Sequence, residues 1–212
     1  MKKLSVIIFT IMFIVNIVDA QKTKSDFSSG LHLGLKVGLN RSNVYDSKTQ
    51  DFSDNPKIGF VGGAFVSIAL NELISIQPEF LYSQKGFKGT GITLGQSYSF
   101  KRTTNFIDVP IFLAIRPASF VTLLVGPQFS YLVSQKDDFD VTMFSSSQEQ
   151  QFQNTDLRKN LLCFVGGLDF NLASTVISTR LGWDVQRNNG DGTTSVPNYK
   201  NAWIQLTLGY RL

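Results

Sequence analysis

Residues 31–40 read LHLGLKVGLN, and apolar and non-apolar side chains alternate without interruption along this stretch. Apolar side chains occupy the odd positions from Leu31 to Leu39, and polar or small residues occupy the even positions from His32 to Asn40. Successive side chains of a β-strand point to opposite faces, so this period of two predicts a strand with one apolar face.

The same alternation predicts seven further strands, each long enough to cross a bilayer at the roughly 9 to 11 residues that a tilted strand requires. They lie near residues 57–70, 72–87, 100–116, 119–134, 160–171, 174–187 and 199–212. The strand near 160–171 has an ambiguous phase, because residues 161–165 are all apolar. Asp169 alone indicates which of its faces is polar.

Short and long connections alternate between these strands. Tight turns are predicted at Asn71, Pro117-Ala118 and Leu172-Ala173, and long polar loops are predicted near 41–56, 88–99, 135–159 and 188–198. With an even strand count, both termini of the barrel lie on the side of the short turns, as in outer-membrane barrels with periplasmic turns and extended outer loops. The predicted fold is all-β, an eight-stranded antiparallel up-and-down transmembrane barrel.

Residues 1–20 have the features of a secretory signal peptide. Two lysines precede an apolar run over 4–18, and Val18-Asp19-Ala20 supplies small or short side chains at the cleavage positions. A membrane-spanning helix would need roughly 20 apolar residues, and Asn16 interrupts this run. We therefore expect a signal peptide over 1–20 and an outer-membrane barrel domain over 21–212.

The second face of each strand distinguishes a membrane barrel from a secreted, soluble, lipocalin-like carrier. A surface facing water would carry many Lys and Glu residues, whereas these faces carry single charges, Phe65, Phe112 and several glycines. The glycines are Gly34, Gly38, Gly59, Gly63, Gly126 and Gly182. Small residues beside large ones suit the crowded lumen of an eight-stranded barrel. The carrier remains an alternative.

Aromatic residues are predicted to form a girdle at each membrane interface. Tyr82, Tyr131 and Trp183 lie near the loop ends of the apolar faces, and Phe170 and Tyr210 lie near the turn ends. Tyr and Trp favour both interfaces of a bilayer, and barrels carry such girdles. The bacterial outer membrane is therefore the expected location.

Several segments resemble the PorT-like outer-membrane β-barrel proteins, which share the shape of small OmpA- and OmpX-like barrels. NFIDVPIFLAIRP at 105–117 places an Asp before an apolar Pro-Ile segment, and VTLLVGPQFSYLVS at 121–134 contains a Gly-Pro dipeptide. GFVGGAFVSIAL at 59–70 and ELISIQPEFLYSQKG at 72–86 support the likeness, which covers nearly the whole chain after residue 20. This resemblance implies an accessory role in protein secretion.

Inward-facing polar residues are predicted to meet in the lumen. They are Lys36, Glu79, Asp108, Arg180, Asp184 and Gln205. Because an unpaired charge away from water is costly, we interpret them as a paired network that fills and rigidifies the barrel. A gate or a proton path is the functional alternative.

No catalytic, cofactor-binding or metal-binding residue is predicted. The single histidine, His32, faces inward near the periplasmic end, and a lipid-modifying enzyme in this barrel would have to use it. The single cysteine, Cys163, has no second cysteine to pair with and is expected to pack as a small apolar residue. Metal-ligand spacings, phosphate-binding loops and nucleophile elbows do not occur in the sequence. We expect a protein that is not an enzyme.

The charge distribution limits the partners. The formal net charge is +4, and no block rich in Lys and Arg follows the signal sequence. Nucleic acid is not an expected partner, because its binding needs basic residues clustered on one face. The expected partners are outer-membrane lipid and a protein contacting the long outer loops, and the oligomeric state is left open.

Overall fold

The computed structural model describes residues 30–45, 53–93, 96–141, 144–150, 158–188 and 199–212. These residues form strands β1 (Leu31–Tyr45), β2 (Ser53–Ala69), β3 (Ile74–Thr93), β4 (Gln96–Ala118), β5 (Val121–Val141), β6 (Phe144–Gln150), β7 (Asn160–Leu172), β8 (Thr175–Asp184) and β9 (Lys200–Arg211). The expected signal peptide, 1–20, lies outside the described residues. Within those residues, no helix is long and apolar enough to cross a membrane.

Eight of the strands close into a ring, as the alternation predicts. Strand β1 pairs with β2 on one side and with β9 on the other, and all pairings around the ring are antiparallel. The ring order is β1, β2, β3, β4, β5, β7, β8 and β9, with β9 returning to β1. Strand β6 is not part of this ring. It pairs with residues 135–141 of β5, at the end of the barrel opposite the short turns.

The short turns lie at one end of the barrel, and two of them are shifted from the predicted positions. The turn expected at Leu172-Ala173 lies one residue later, because Leu172 still pairs with Thr175. At the first turn the Asn71 Oδ1 accepts the backbone N–H of Leu73 and of Ile74, at 2.9 and 2.8 Å. The second turn was expected at Pro117-Ala118, but Ala118 still pairs with Val121. The expectation was wrong by two residues, since a proline can occupy a strand position whose N–H is not needed for pairing.

The expectation of loops over 41–56, 88–99 and 135–159 is wrong in part, because strands occupy 41–45, 53–56, 88–93, 96–99, 135–141 and 144–150. Residues 46–52, 94–95, 142–143 and 151–157, and 189–198 of the fourth expected loop, lie outside the described residues. Strands β3 and β4 continue to a tight hairpin in which Thr93 pairs with Gln96, and Val141 of β5 pairs with Phe144 of β6. Apolar and polar residues alternate where one face of a strand contacts lipid and the other faces the lumen. Beyond the bilayer both faces of a strand meet water, so the pattern is lost although the backbone pairing continues.

The apolar faces point outward, and the side chains on them are exposed. Leu35, Ile111 and Leu206, on three different strands, are 55%, 44% and 56% exposed. In β7, Cys163 is buried and Phe164 is exposed, which is the phase that Asp169 indicated. Each of the eight strands therefore presents its predicted apolar face to lipid.

Aromatic rings in the lumen lie directly over glycines. A Cβ atom on Gly34 would come within 2.3 Å of Cζ of Phe65, and one on Gly182 would come within 2.3 Å of Cζ2 of Trp203. The predicted pairing of small and large inward residues thus has a direct steric cause. The glycines leave the space that the rings fill.

Candidate functional site

A set of ion pairs, here called the lower network, crosses the half of the lumen nearer the short turns. Lys36 Nζ lies 2.7 Å from Glu79 Oε1, and Arg180 Nη2 lies 3.4 Å from the same oxygen. Arg180 Nη1 also lies 2.7 Å from Asp169 Oδ1. The lower network consists of these four side chains, all buried, and it joins β1, β3, β7 and β8.

Aromatic rings surround the cations of the lower network. Lys36 Nζ lies 5.0 Å from the ring centre of Phe65, and the Arg180 guanidinium lies 5.1 Å from that of Phe112. A cation over an aromatic face is stabilised by the ring quadrupole, more so where water is excluded. These contacts fill the lumen around the charges and hold the cations in place.

A second ion pair, the upper pair, lies above the lower network. Lys85 Nζ lies 3.0 Å from Asp108 Oδ2, and both side chains are buried. The same ammonium lies 3.7 Å from the ring centre of Trp203 and 5.0 Å from that of Phe106. The upper pair therefore connects β3, β4 and β9 across the barrel.

Cys163 packs in an apolar cluster of the lumen, as expected, and it also has polar partners. Its thiol donates to Asp184 Oδ1 at 3.2 Å and lies 3.5 Å from the Ser130 hydroxyl. Asp184 Oδ2 accepts the backbone N–H and the side-chain amide of Asn201, at 2.9 and 2.6 Å. Asp184 is thus satisfied by hydrogen bonds to uncharged groups.

A group of side chains, here called the mouth cluster, covers the lumen at the end with the long connections. It consists of Val44, Phe87, Phe100, Arg102, Asp137 and Tyr199. The Phe87 and Tyr199 rings meet edge to face with centroids 5.4 Å apart, and the Arg102 guanidinium lies 5.8 Å from each ring centre. Phe87 and Tyr199 are buried, so the mouth cluster closes the lumen at this end.

Arg102 and Asp137 form a bidentate pair within the mouth cluster, above the apolar band of the barrel. Arg102 Nε and Nη2 donate to Asp137 Oδ1 and Oδ2, both at 2.8 Å. Burial alone would lower the pKa of Arg102, but Tyr199 and Asp137 outweigh burial and raise this pKa above its usual value. The guanidinium therefore stays charged, and its planar fork fixes β4 against β5.

The predicted lumen residues are brought together in part. Lys36, Glu79 and Arg180 meet in one network, as expected, whereas Asp108 and Asp184 have other partners. The last predicted member, Gln205, is buried in register with Arg180.

The predicted set of lumen residues did not include Lys85, Asp169 or the bidentate pair of the mouth cluster. Lys85 continues the inward series that contains Glu79 and Ser83, so its phase could have revealed it. Arg102 and Asp137 gave no such signal, because they lie where the strands leave the lipid and both faces become polar.

His32 belongs to neither the lower network, the upper pair nor the mouth cluster. It is half-buried at the beginning of β1, in register with Ser67, close to the short turns. Within the described ranges, no three His, Cys, Asp or Glu side chains come together in a way that could hold a metal ion.

Comparison with known proteins gives both a family and a fold. The model of the outer membrane protein beta-barrel domain matches residues 19–190. No curated protein matches the chain. Among solved structures, neisserial surface protein A (NspA) is 10% identical, with a TM-score of 0.50, covering 86% of this chain and 99% of that chain. At this identity the likeness shows the fold alone.

Two further structures have similar coverage at lower TM-scores. Ail, the attachment invasion locus protein of Yersinia pestis, is 17% identical with a TM-score of 0.48, covering 85% of this chain and 98% of that chain. The N-terminal barrel domain of Pseudomonas aeruginosa OprF is 8% identical with a TM-score of 0.40, covering 84% of this chain and 97% of that chain.

Proposed function

Because this chain belongs to the outer membrane protein β-barrel domain family and lies in the bacterial outer membrane, we propose that it is a closed, non-catalytic barrel. Its function is then carried by the strands and loops that extend outside the membrane, which contact a partner protein. The PorT-like character of residues 105–134 supports an accessory role in secretion or in envelope function.

The filled lumen is the observation that carries this proposal. The lower network, the upper pair and the mouth cluster occupy three successive levels, and their side chains are buried or nearly so. The interior of an eight-stranded barrel is just wide enough for side chains to fill. The filled lumen therefore disfavours transport through the barrel. We expect the function to depend on the surface that extends outside the membrane.

The extended strands supply the surface for a partner. Above the apolar band, β3 and β4 present Lys88 and Lys101 side by side, both exposed. On β5, Asp138 lies in register with Lys101 and forms an ion pair with Lys136. Strand β6 widens this sheet next to β5. A sheet that exposes lysines together with Asp138 suits a protein partner with complementary charges.

Planar bilayer recording tests the closed lumen. We expect the purified barrel to give no conductance steps beyond those of a protein-free bilayer, because the side chains at all three levels block the path. Reproducible steps from the wild-type protein that disappear on Thr207→Leu, a substitution facing the lumen, would contradict the proposal.

Site-specific photocrosslinking in cells tests the outer surface. We expect a crosslinker at Lys101 to give a discrete protein adduct, and one at Ser119, in a short turn, to give none. The matched position Ile111, on the lipid face of the same strand, reports background from lipid and neighbouring proteins. An adduct found only at Ser119 would place the partner on the periplasmic side and overturn this part of the proposal.

The enzyme alternative depends on His32. We expect His32→Ala to leave the lipid composition of the outer membrane unchanged, because His32 faces inward, away from lipid. Mass spectrometry of extracted lipids makes the comparison with the wild-type strain, and a changed lipid profile would favour the enzyme.

A further inference from the structure

A shallow groove of about 470 Å³ lies on the outer wall across β1, β8 and β9, with Pro56 of β2 at its border. The strand register aligns Trp183 with Ala202 and Ala202 with Asn43 on the outward face. Ala202 has the smallest side chain of this row, so it forms the floor, and the larger neighbours form the walls. The groove opens towards lipid, since it lies on the same face as Leu206.

The lower edge of the groove contains a cation within an apolar wall. Arg41 is exposed, lies in register with Ile204, and follows exposed Leu39 on the same face of β1. Ile204 in turn lies in register with Leu181, which is also exposed. No acidic side chain of the described residues forms an ion pair with Arg41. A charge in this position is costly unless it meets a counter-charge or reaches the headgroups.

A second cation lies above the groove, outside the set of residues that line it. Lys200 is the next outward residue of β9 after Ala202, and its ammonium lies 6.0 Å from the ring centre of Tyr45. Trp183, in the wall between the two levels, is a residue type that marks the membrane interface. The two cations therefore lie on either side of the level at which lipid headgroups begin.

We propose that this groove binds an outer-leaflet lipid with an anionic phosphate headgroup. The phosphate lies between Arg41 and Lys200, because an arginine fork pairs with phosphate oxygens through two hydrogen bonds. An acyl chain descends along Leu181 and Ile204. A lipid and not a protein is the occupant, because the apolar wall around Arg41 is continuous with the lipid-facing band while Lys200 lies towards the headgroups.

Fluorescence of Trp183 tests the proposal in the intact barrel. The chain has two tryptophans, and Trp203 is buried, although it also borders the groove. The barrel is reconstituted in phosphatidylcholine vesicles that contain dibrominated phosphatidic acid or, at equal mole fraction, dibrominated phosphatidylcholine. We expect the anionic lipid to quench Trp183 more strongly than the zwitterionic lipid. A Trp183→Phe variant gives the background from Trp203.

Three substitutions separate a site from general surface charge. Arg41→Gln should lower the preference for the anionic lipid about tenfold, the effect of losing a charged hydrogen bond. Lys101→Gln removes the same charge from an exposed position on β4, three strands away from β1, and should leave the preference unchanged. Ala202→Leu fills the floor and should also lower the preference, although both cations remain. Circular dichroism checks that each variant is folded.

Three results would overturn the proposal. Equal quenching by the two lipids in the wild type would show that the groove does not select phosphate charge. An equal loss in Lys101→Gln and Arg41→Gln would show attraction by overall charge alone. An unchanged preference in Ala202→Leu would show that Arg41 binds headgroups without the groove.

Discussion

Arg180 connects the two carboxylates of the lower network, Glu79 and Asp169, and no other described side chain contacts both as an ion pair. Buried charges contribute little net stability as a complete set, but removing one member leaves the others desolvated and unpaired. The sequence predicted Arg180 as a lumen residue, because its phase on β8 is unambiguous. Its partners could not be assigned, because they depend on the stagger of the closed ring.

Arg180→Met should lower the free energy of unfolding by about 3 to 5 kcal/mol, because two buried carboxylates lose their shared cation. The matched control is Lys136→Met, since Lys136 and Asp138 form an exposed pair above the barrel and such pairs contribute about 0 to 1 kcal/mol. Urea unfolding in detergent micelles, followed by tryptophan fluorescence, measures both variants. Equal effects of the two substitutions would count against the network.

Gly182→Val should destabilise the barrel by about 1 to 3 kcal/mol, because the added carbon atoms meet the Trp203 ring. Gly166→Val is the control, since a Cβ atom at that position meets nothing closer than 3.8 Å. The same unfolding experiment compares them. A tolerated valine at 182 would mean that Trp203 has room to move.

At the scale of strands, alternation predicted the membrane-spanning parts well and the parts above them poorly. Strand β1 was expected to end at Asn40 but continues to Tyr45, and β3 was expected to end near Phe87 but continues to Thr93. Lipid imposes a pattern on the side chains that it contacts, whereas water on both faces imposes none. Only backbone pairing defines the upper strands, and a single sequence does not record it.

Shortening the upper hairpin of β3 and β4 should leave the barrel intact. Thr90 pairs with Ser99, so replacing residues 91–98 by Asn-Gly joins two paired positions through a two-residue turn. We expect a change in unfolding free energy below about 1 kcal/mol, because the removed residues lie above the apolar band. Failure of this variant to fold would show that the hairpin helps to assemble the ring.

At the scale of the whole molecule, the described barrel is apolar on its outer wall, whereas its lumen contains both charged and apolar side chains. Its exposed large hydrophobic residues surround a lumen that contains ion pairs, amides and hydroxyls, and water-soluble barrels have the opposite arrangement. The sequence was sufficient for this conclusion, because the two faces of each strand differ so clearly in composition.

Environment-sensitive fluorophores attached through cysteine provide the test. In a Cys163→Ser background, labels at Leu35, Ile111 and Leu206 should emit at the short wavelengths of a hydrocarbon environment. A label at Lys101, above the band, should emit as in water. Water-like emission at the three apolar positions would exclude a membrane barrel of this orientation.

The ion pair between Arg180 and Glu79 joins residues 101 positions apart, on opposite walls of the ring. This ion pair forms only after the last strand has paired with its neighbours. The lower network should therefore slow unfolding of the barrel without accelerating its folding. Loss of the lower network would then mainly increase the unfolding rate and leave the folding rate almost unchanged. Slow unfolding would suit a protein that stays in its membrane, where cytoplasmic chaperones cannot refold it.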